Sequence, residues 1–236
     1  MKKNKFYLLF CLAMGSLLLS SCLKDDDDYV APPAGVLTMV NGYIDAQSVM
    51  YYTQVGTIPP IKFREYASTQ LFAGDRRVAV TGSASPATLA DTTFSVKADS
   101  VYTSFLYGNK DKVKHAIVLN KKMSTNAAAE KPAGVRFLNL ADVGGKVSLQ
   151  FGDAEIVAPF KDRPVETQVT ATANQTFIAQ PNGTFTLKIK DEAGTVLATR
   201  EGLKFESEKH YTIILIGKKD DATTPLYIGQ VVEFAN

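Results

Sequence analysis

The fold is decided by a strand pattern that the sequence contains twice, at Val101–Gly108 (VYTSFLYG) and at His210–Gly217 (HYTIILIG). Each segment has tyrosine at its second position, continues with apolar and β-branched residues, and ends on glycine. A continuous run of this kind is typical of a strand buried in a β-sandwich. The pattern therefore predicts two copies of one β-sheet domain.

A second repeat lies upstream of each tyrosine segment. Gly35–Asn41 (GVLTMVN) matches Ala133–Asn139 (AGVRFLN), and the two tyrosine segments lie further apart in the chain than these two opening segments do. The longer separation of the tyrosine segments indicates one insertion in the middle of the second copy. We therefore predict copy 1 at residues 35–121, a polar linker at 122–132 and copy 2 at 133–236.

Strand signals recur along both copies. Thr184–Lys190 alternates apolar and polar side chains, which indicates a half-buried strand, and Pro181–Gly183 before it is a turn signal. The β-branched run at Val165–Thr172 also indicates a strand. We predict an all-β chain of two tandem Ig-like antiparallel sandwiches with little helix. Tyr102 and Tyr211 resemble the corner tyrosine of Ig-like domains, which implies hydroxyls bonded to nearby backbone.

The N-terminus has the pattern of a secretory signal over residues 1–21. A positive stretch precedes an apolar run at Phe6–Leu19, which is too short for a transmembrane helix of about 20 residues. Leu19–Cys22 then resembles the lipobox of bacterial lipoproteins. The resemblance implies cleavage before Cys22 and attachment of lipid to its sulfur, so that the membrane is a partner through this lipid.

Residues 22–34 form an acidic, proline-containing tether between the lipid and copy 1. Lys24–Asp26 resembles the acidic export signal of Bacteroidetes lipoproteins, which implies an outer-membrane protein facing the cell exterior. The alternative is a solvated spacer, because adjacent carboxylates repel one another.

The arrangement of two Ig-like copies behind a lipobox is similar to Bacteroidetes lipoproteins of the "domain of unknown function 4397" family. In each copy, the first strand ends in asparagine and a tyrosine-bearing strand ends in glycine. The family usually has a Ser-Pro-Asp-Ala stretch after the first strand, where this chain has Asn41–Ala46 and Asn139–Asp142. Only the aspartate and its spacing survive, and the resemblance implies no known activity.

Charge and composition argue against several functions. The formal charge of +2 becomes −1 once Lys2, Lys3 and Lys5 leave with the signal, so nothing favours nucleic-acid binding. Cys11 lies in the signal and Cys22 carries lipid, which leaves the folded part without thiol chemistry.

No pattern in the sequence indicates catalysis, a metal or a cofactor. His115 and His210 fall in different copies and are expected at the surface, and Lys218–Asp221 is expected to cap a hairpin. We expect no enzymatic activity. The carboxylates that could pair across a glycosidase-like cleft are scattered: Glu65, Asp75, Asp91, Asp153, Glu155 and Asp162.

Binding is the remaining class. Tyr43, Tyr51, Tyr52 and Tyr66 cluster in copy 1, and neighbouring strand residues point to opposite faces, so that one of Tyr51 and Tyr52 can be exposed. We predict non-enzymatic binding or adhesion to an extracellular glycan, a host protein or an outer-membrane partner. The alternative is a fimbrial subunit or anchor that polymerises by strand donation, which requires an incomplete sandwich.

Overall fold

The structure, a computed structural model, describes residues 31–54, 56–123 and 131–235. It confirms the predicted fold class of two tandem β-sandwiches with little helix. Pro33–Asn236 forms one compact unit. The signal, Cys22 and Lys24–Asp28 lie outside the described residues, as does most of the predicted linker.

Copy 1 contains nine strands in two sheets. One sheet has the order β5-β1-β8-β9, and the other has the order β3-β2-β6-β7 with β4 paired to β2. The strands are β1 (Ala34–Tyr43), β2 (Ser48–Thr53), β3 (Gly56–Thr57), β4 (Ile61–Lys62), β5 (Tyr66–Phe72), β6 (Gly74–Gly82), β7 (Ser85–Val96), β8 (Val101–Asn109) and β9 (Lys112–Leu119).

Copy 2 repeats seven of these strands. Its sheets have the orders β12-β10-β15-β16 and β11-β13-β14. The strands are β10 (Ala133–Asn139), β11 (Val147–Phe151), β12 (Ile178–Gln180), β13 (Gly183–Asp191), β14 (Val196–Phe205), β15 (His210–Ile216) and β16 (Tyr227–Glu233), and helix α1 (Gln168–Ala173) and a 3₁₀ turn (Ala158–Phe160) lie between β11 and β12.

Each copy departs in one place from the predicted antiparallel pairing. β1 pairs with β8 in parallel, from Val36 opposite Val101 to Tyr43 opposite Gly108, and β10 pairs with β15 in the same way. A parallel pair requires a crossover connection, which several intervening strands supply here. The pairing brings both repeated segments of a copy into the centre of one sheet, and local patterns do not determine such distant partners.

Each copy has its own apolar core, and the corner tyrosines are confirmed. The Tyr102 hydroxyl accepts a hydrogen bond from the backbone N–H of Lys97 (3.1 Å), and the Tyr211 hydroxyl accepts one from Glu206 (2.9 Å). Both donors lie five residues upstream of their tyrosine. The rings pack against Phe94 and Phe205 at the core edge.

A third core joins the two copies. The outer face of the β5-β1-β8-β9 sheet packs against the outer face of the β12-β10-β15-β16 sheet, which stacks the four sheets. Strands β8 and β15 are therefore buried on both faces. The apolar residues that form this interface include Val40, Phe105, Tyr107, Leu138, Ile214, Ile216 and Val231.

A buried polar network lies at the end of this interface where β8 and β15 begin. Arg136 donates from Nη2 to Glu233 Oε1 (3.0 Å), and both side chains are essentially inaccessible to solvent. Glu233 also accepts from the Thr212 hydroxyl (2.6 Å), the Thr103 hydroxyl (2.8 Å) and Asn120 Nδ2 (3.0 Å). Burial lowers the pKa of Arg136, and the Glu233 carboxylate opposes that effect. The network links β8 and the residue that follows β9 in copy 1 to copy 2.

The predicted strand at Val165–Thr172 is wrong, because Gln168–Ala173 forms helix α1. The Thr167 hydroxyl caps this helix by accepting a hydrogen bond from the Thr170 N–H, and the Thr167 N–H donates in return to the Thr170 hydroxyl, which completes a capping box. Gln168 then bonds both the N–H and the carbonyl of Ile117 on edge strand β9, each at 2.8 Å. Tertiary contacts thus outweigh the low helix propensity of a β-branched run.

Helix α1 lies in the insertion that the spacing of the repeated segments predicts for copy 2. The connection from β11 to β13 runs from Gly152 to Asn182, whereas the equivalent connection from β2 to β6 is shorter and runs from Gln54 to Ala73. The added length lets copy 2 cover the outer edge of copy 1. Among the described residues, no helix is long and apolar enough to span a membrane.

Candidate functional site

A cleft of about 550 Å³ opens at the end of copy 1 where β1 finishes. Three segments surround it: the chain after β1, the β6–β7 hairpin and the β8–β9 hairpin. Its volume falls within the range of about 300–1,000 Å³ that is usual for small-ligand sites. The lining residues include Tyr43, Asp45, Gln47, Ser83, Ala84 and Lys110.

An asparagine fixes the chain where it enters the cleft. Asn41 is fully buried, accepts a hydrogen bond from the Tyr43 N–H (3.0 Å) and donates to the Ile61 carbonyl (2.9 Å). Asn139 makes the same pair of bonds in copy 2, to the Ala141 N–H (3.2 Å) and the Arg163 carbonyl (3.1 Å). The asparagine that ends the first strand of each repeat therefore holds the turn that leaves the strand.

The β6–β7 hairpin forms the opposite wall from small residues. Ser83 and Ala84 occupy the turn and are exposed, and the Ser48 hydroxyl donates to the Ser83 hydroxyl at 2.8 Å. Because these side chains are short, the turn leaves the mouth of the cleft open. The pairing of β6 with β7 shifts register twice between Val80 and Gly82, so the strands diverge from regular pairing beside the cleft.

Polar groups converge on the cleft from the other two segments. Asp45 accepts a hydrogen bond from the Lys110 N–H, which ties the chain after β1 to the β8–β9 hairpin. Burial raises the pKa of Tyr43, and the Asp45 and Asp111 carboxylates raise it further. The Tyr43 hydroxyl therefore stays protonated at neutral pH. The cleft offers hydroxyl, amide, carboxylate and ammonium groups beside an apolar floor.

Copy 2 has a cleft at the equivalent position, with a volume of about 630 Å³. It lies between the β13–β14 and β15–β16 hairpins, and Asp191 stands where copy 1 has Gly82. Asp191 accepts hydrogen bonds from the N–H groups of Ala193 (3.0 Å) and Thr195 (2.8 Å). Hydrogen bonds from the Thr224 and Thr223 N–H groups lower the pKa of Asp221. The second cleft is thus more strongly charged than the first.

The predicted tyrosine cluster separates in the structure. Tyr43 lines the cleft with 4% of its surface exposed, and Tyr51 is fully buried with its hydroxyl 3.4 Å from Ser104 Oγ. Tyr52 is 40% exposed, which confirms that the adjacent pair points to opposite faces. Tyr66 is equally exposed but belongs to the other sheet. One tyrosine of the four therefore contributes to the cleft.

The prediction that both histidines are surface residues is wrong. His115 lies between Ser104 Oγ (2.7 Å from Nε2) and Thr92 Oγ1 (3.0 Å from Nδ1), which links the two sheets of copy 1. Burial lowers its pKa to about 4. His210 is 7% exposed and accepts a hydrogen bond from the Met123 N–H (3.0 Å). His210 is covered because β15 is buried on both faces, whereas His115 lies on edge strand β9 and is held between the two sheets of copy 1.

Two of the scattered carboxylates, Asp91 and Asp153, make surface ion pairs. Arg77 binds Asp91, and Lys188 binds Asp153, so each ion pair lowers the pKa of its aspartate. Within residues 31–54, 56–123 and 131–235, no three histidine, cysteine or acidic residues are grouped as a metal site requires. Lys218–Asp221 lies in the β15–β16 hairpin, as expected.

Sequence reasoning missed the clefts themselves. The available signal was the run of small residues at Gly82–Ala87, which contains the turn between β6 and β7. A small-residue turn is common in β-proteins, so this signal becomes informative only once the neighbouring hairpins are placed around it.

Comparison with known proteins supports the family resemblance. Residues 34–150 match the model of the family described as "Domain of unknown function (DUF4397)", a span that covers copy 1 and extends into β11. No curated protein matches this chain.

Two solved structures are similar at low identity. One is a DUF3823 family protein from Bacteroides ovatus ATCC 8483, with 14% identity, a TM-score of 0.23, and coverage of 73% of this chain and 98% of that chain. The other is CBMbc (family CBM26) from Eubacterium rectale Amy13K in complex with maltoheptaose, with 12% identity, a TM-score of 0.24, and coverage of 82% and 96%. At such TM-scores, neither similarity identifies a ligand for this chain.

Proposed function

We propose that this chain is a lipid-anchored bacterial surface protein that binds an extracellular ligand without catalysis, through the cleft of copy 1. The observation that carries the proposal is that the cleft lies at the opposite end of β1 from the point where the chain enters the fold. β1 begins at Ala34 and ends at Tyr43, which lines the cleft. Ten strand residues separate these points by about 30 Å.

Both copies point in the same direction. Val36 pairs with Val101 and Tyr43 with Gly108, so β1 and β8 finish together at the cleft. Gly42, near the end of β1, lies against Ile216 at the end of β15, which places the loops of copy 2 at the same end. A lipid on Cys22 would connect through residues 23–33 to the other end of the molecule. This attachment would leave both sets of loops facing away from an outer membrane.

The groups that line the cleft suit reversible binding. Serine hydroxyls, the Gln47 amide, the Asp45 carboxylate and the Lys110 ammonium can exchange hydrogen bonds with a polar ligand, and Leu89 and Val113 supply apolar contact. A glycan or a polar protein segment fits this combination. The same proposal includes that the chain is a Bacteroidetes lipoprotein and that Lys24–Asp26 acts as its export signal.

The alternative is a fimbrial subunit or anchor. Strand donation fills a groove where a sandwich lacks a strand. Copy 2 has an equivalent for each of β1, β2, β5, β6, β7, β8 and β9, so both copies have the same seven-strand set. This observation favours a binding module over a subunit that needs a strand from its neighbour.

A binding array tests the proposed cleft. The full-length chain, purified in a detergent without a sugar headgroup, would be applied to arrayed glycans and extracellular matrix proteins beside two variants. Ala84→Trp fills the mouth of the cleft from an exposed turn position. Ala98→Trp is the matched control, since it adds the same side chain to the β7–β8 turn at the opposite end. We expect Ala84→Trp alone to lose the signals of the wild type. Equal signals from both variants would contradict the proposal.

Membrane fractionation tests the anchor. Cys22→Ser removes the sulfur that would carry the lipid, so we expect an unprocessed protein that leaves the membrane fraction. A variant with alanine at Lys24 and Asp25–Asp28 should be hidden from protease added to whole cells. If the Cys22→Ser variant stayed in the membrane fraction as the wild type does, the lipid anchor would be wrong. If external protease still digested the alanine variant, the export signal would be wrong.

A further inference from the structure

Building on the proposed function, we infer that the clefts of the two copies are the two ends of one groove, which binds a neutral oligosaccharide long enough to contact both copies. This assignment names the ligand class of the proposed site and adds copy 2 to it. It depends on a depression between the clefts, on the rigid contact between the copies and on the charges along the groove.

A third depression, of about 210 Å³, connects the two clefts. Asp45 and Lys110 line both this depression and the cleft of copy 1. Asp221 lines both this depression and the cleft of copy 2. Because neighbouring depressions share walls in this way, they form a continuous path across the end of the molecule.

The path is long and its two halves are held in place. Sheets that pack face to face are about 10 Å apart, and the clefts lie at the ends of the two sandwiches, so their centres are separated by about 20 Å. The core between the copies, and the hydrogen bonds that Thr103 and Asn120 of copy 1 donate to Glu233 of copy 2, fix that separation. A single sugar or a disaccharide would occupy one cleft, whereas a longer chain would reach the other. A preformed groove reduces the entropy lost on binding.

The charges of the groove favour a neutral, hydroxyl-rich ligand. Five aspartates and three lysines line the three depressions, and the two signs are interspersed. The excess of carboxylates opposes an anionic polymer. Sugar hydroxyls can donate to the carboxylates and accept from the ammonium groups, and the hydroxyls of Ser83, Thr88 and Thr223 add neutral partners.

Strand edges beside the groove disfavour a peptide that binds by strand addition. Such a peptide needs a regular edge with evenly spaced N–H and carbonyl groups. The register between β6 and β7 shifts twice between Val80 and Gly82, and the register between β13 and β14 shifts between Ile189 and Lys190. Both interruptions lie where these strands approach the groove, and bulges of this kind protect edges from pairing. Recognition through side chains, as an oligosaccharide requires, remains available.

Calorimetric titration of the full-length chain with oligosaccharides tests the inference. The probes are linear α-1,4-glucan, β-1,4-glucan, β-1,4-mannan and β-1,4-xylan fragments, each from the disaccharide to the octasaccharide. The variants are Thr223→Trp, which obstructs the connecting depression, and Thr195→Trp, which obstructs the cleft of copy 2. Both threonines are exposed, and their hydrogen bonds to Asp221 and Asp191 come from backbone N–H groups that tryptophan keeps.

We expect at least one series to gain affinity with length, by about tenfold between the disaccharide and the longest chains, the effect of one or two hydrogen bonds. Thr223→Trp and Thr195→Trp should remove that gain because they obstruct the path beyond the cleft of copy 1, whereas Ala84→Trp should weaken the binding of short and long chains alike. If both variants kept the gain while Ala84→Trp lost binding, the joined groove would be wrong and the proposed function would stand. If no series bound, the oligosaccharide assignment would be wrong, and the arrayed proteins and charged glycans would still test the proposed function.

Discussion

Replacing Arg136 with leucine should destabilise the molecule strongly, because it leaves the Glu233 carboxylate buried without its cation. Removing one partner of a buried ion pair costs about 3–5 kcal/mol. Here Glu233 keeps three neutral donors, from Thr212, Thr103 and Asn120. We therefore expect the lower part of that range, about 3 kcal/mol, which is a large fraction of a typical stability of about 5–15 kcal/mol.

The assay is urea unfolding of the full-length chain followed by far-ultraviolet circular dichroism. Urea is uncharged and does not screen the ion pair, as guanidinium chloride would. The control is Arg77→Ala, which removes an ion pair with Asp91 whose side chains are 66% and 42% exposed. Exposed pairs contribute about 0–1 kcal/mol, so this control should shift the midpoint little.

A double variant separates the charge effect from loss of packing. Arg136→Leu with Glu233→Gln removes both charges, and we expect it to recover about 1–2 kcal/mol of the loss. The reasoning is refuted if Arg136→Leu costs no more than Arg77→Ala. It is also refuted if the double variant is as unstable as the sum of its single changes, since the buried charge would then not be the cause.

Three further perturbations test other contacts. His115→Gln should flatten the pH dependence of stability. Burial lowers the pKa of His115 in the folded state from 6.5 to about 4, so the unfolded chain binds more protons between these pH values. In the wild type, about 3 kcal/mol of stability that is present above pH 6.5 should therefore be lost as the pH falls to 4, and urea midpoints at several pH values measure this loss. Gln168→Ala should cost about 1 kcal/mol and speed hydrogen exchange at the Ile117 amide, whereas unchanged exchange would show that the helix does not cover this edge. Gly42→Ala should lower the free energy of unfolding by about 1–2 kcal/mol, because the added Cβ would lie 2.8 Å from Ile216 Cγ2. In an Ile216→Ala background the same change should lower the free energy of unfolding by less, as urea unfolding would measure.

Features that depend on local pattern could be predicted from sequence. The tyrosine segments, the turn signals and the alternation at Thr184–Lys190 each reflect contacts within one strand or one hairpin, and they predict the sandwiches correctly. The corner tyrosines belong to this group because their partners lie five residues away. The different spacing of the opening segments and of the tyrosine segments predicted the insertion in copy 2, but it did not predict that the insertion forms a helix.

Features that depend on distant partners could not be predicted. Gln168–Ala173 carries β-branched residues that favour a strand, and its helix forms because a threonine cap and the edge of β9 stabilise it. The parallel partner of β1 is more than sixty residues away in the chain. The cleft of copy 1 combines two hairpins and the chain after β1, all of ordinary composition, so that no single segment carries its signal.

The apolar runs of β8 and β15 are long enough to predict that both faces of these strands are buried. A strand covered on one face alternates apolar and polar residues, whereas Tyr211–Ile216 has no such alternation and Phe105–Tyr107 is apolar throughout. One sandwich core covers one face of each strand, so a second apolar layer is needed on the other face. Because both copies carry such a strand, the simplest way to cover both outer faces is to pack them against each other, as the structure does. The same packing aligns the two sets of loops at one end of the molecule, and it is therefore the physical origin of a groove shared by both copies.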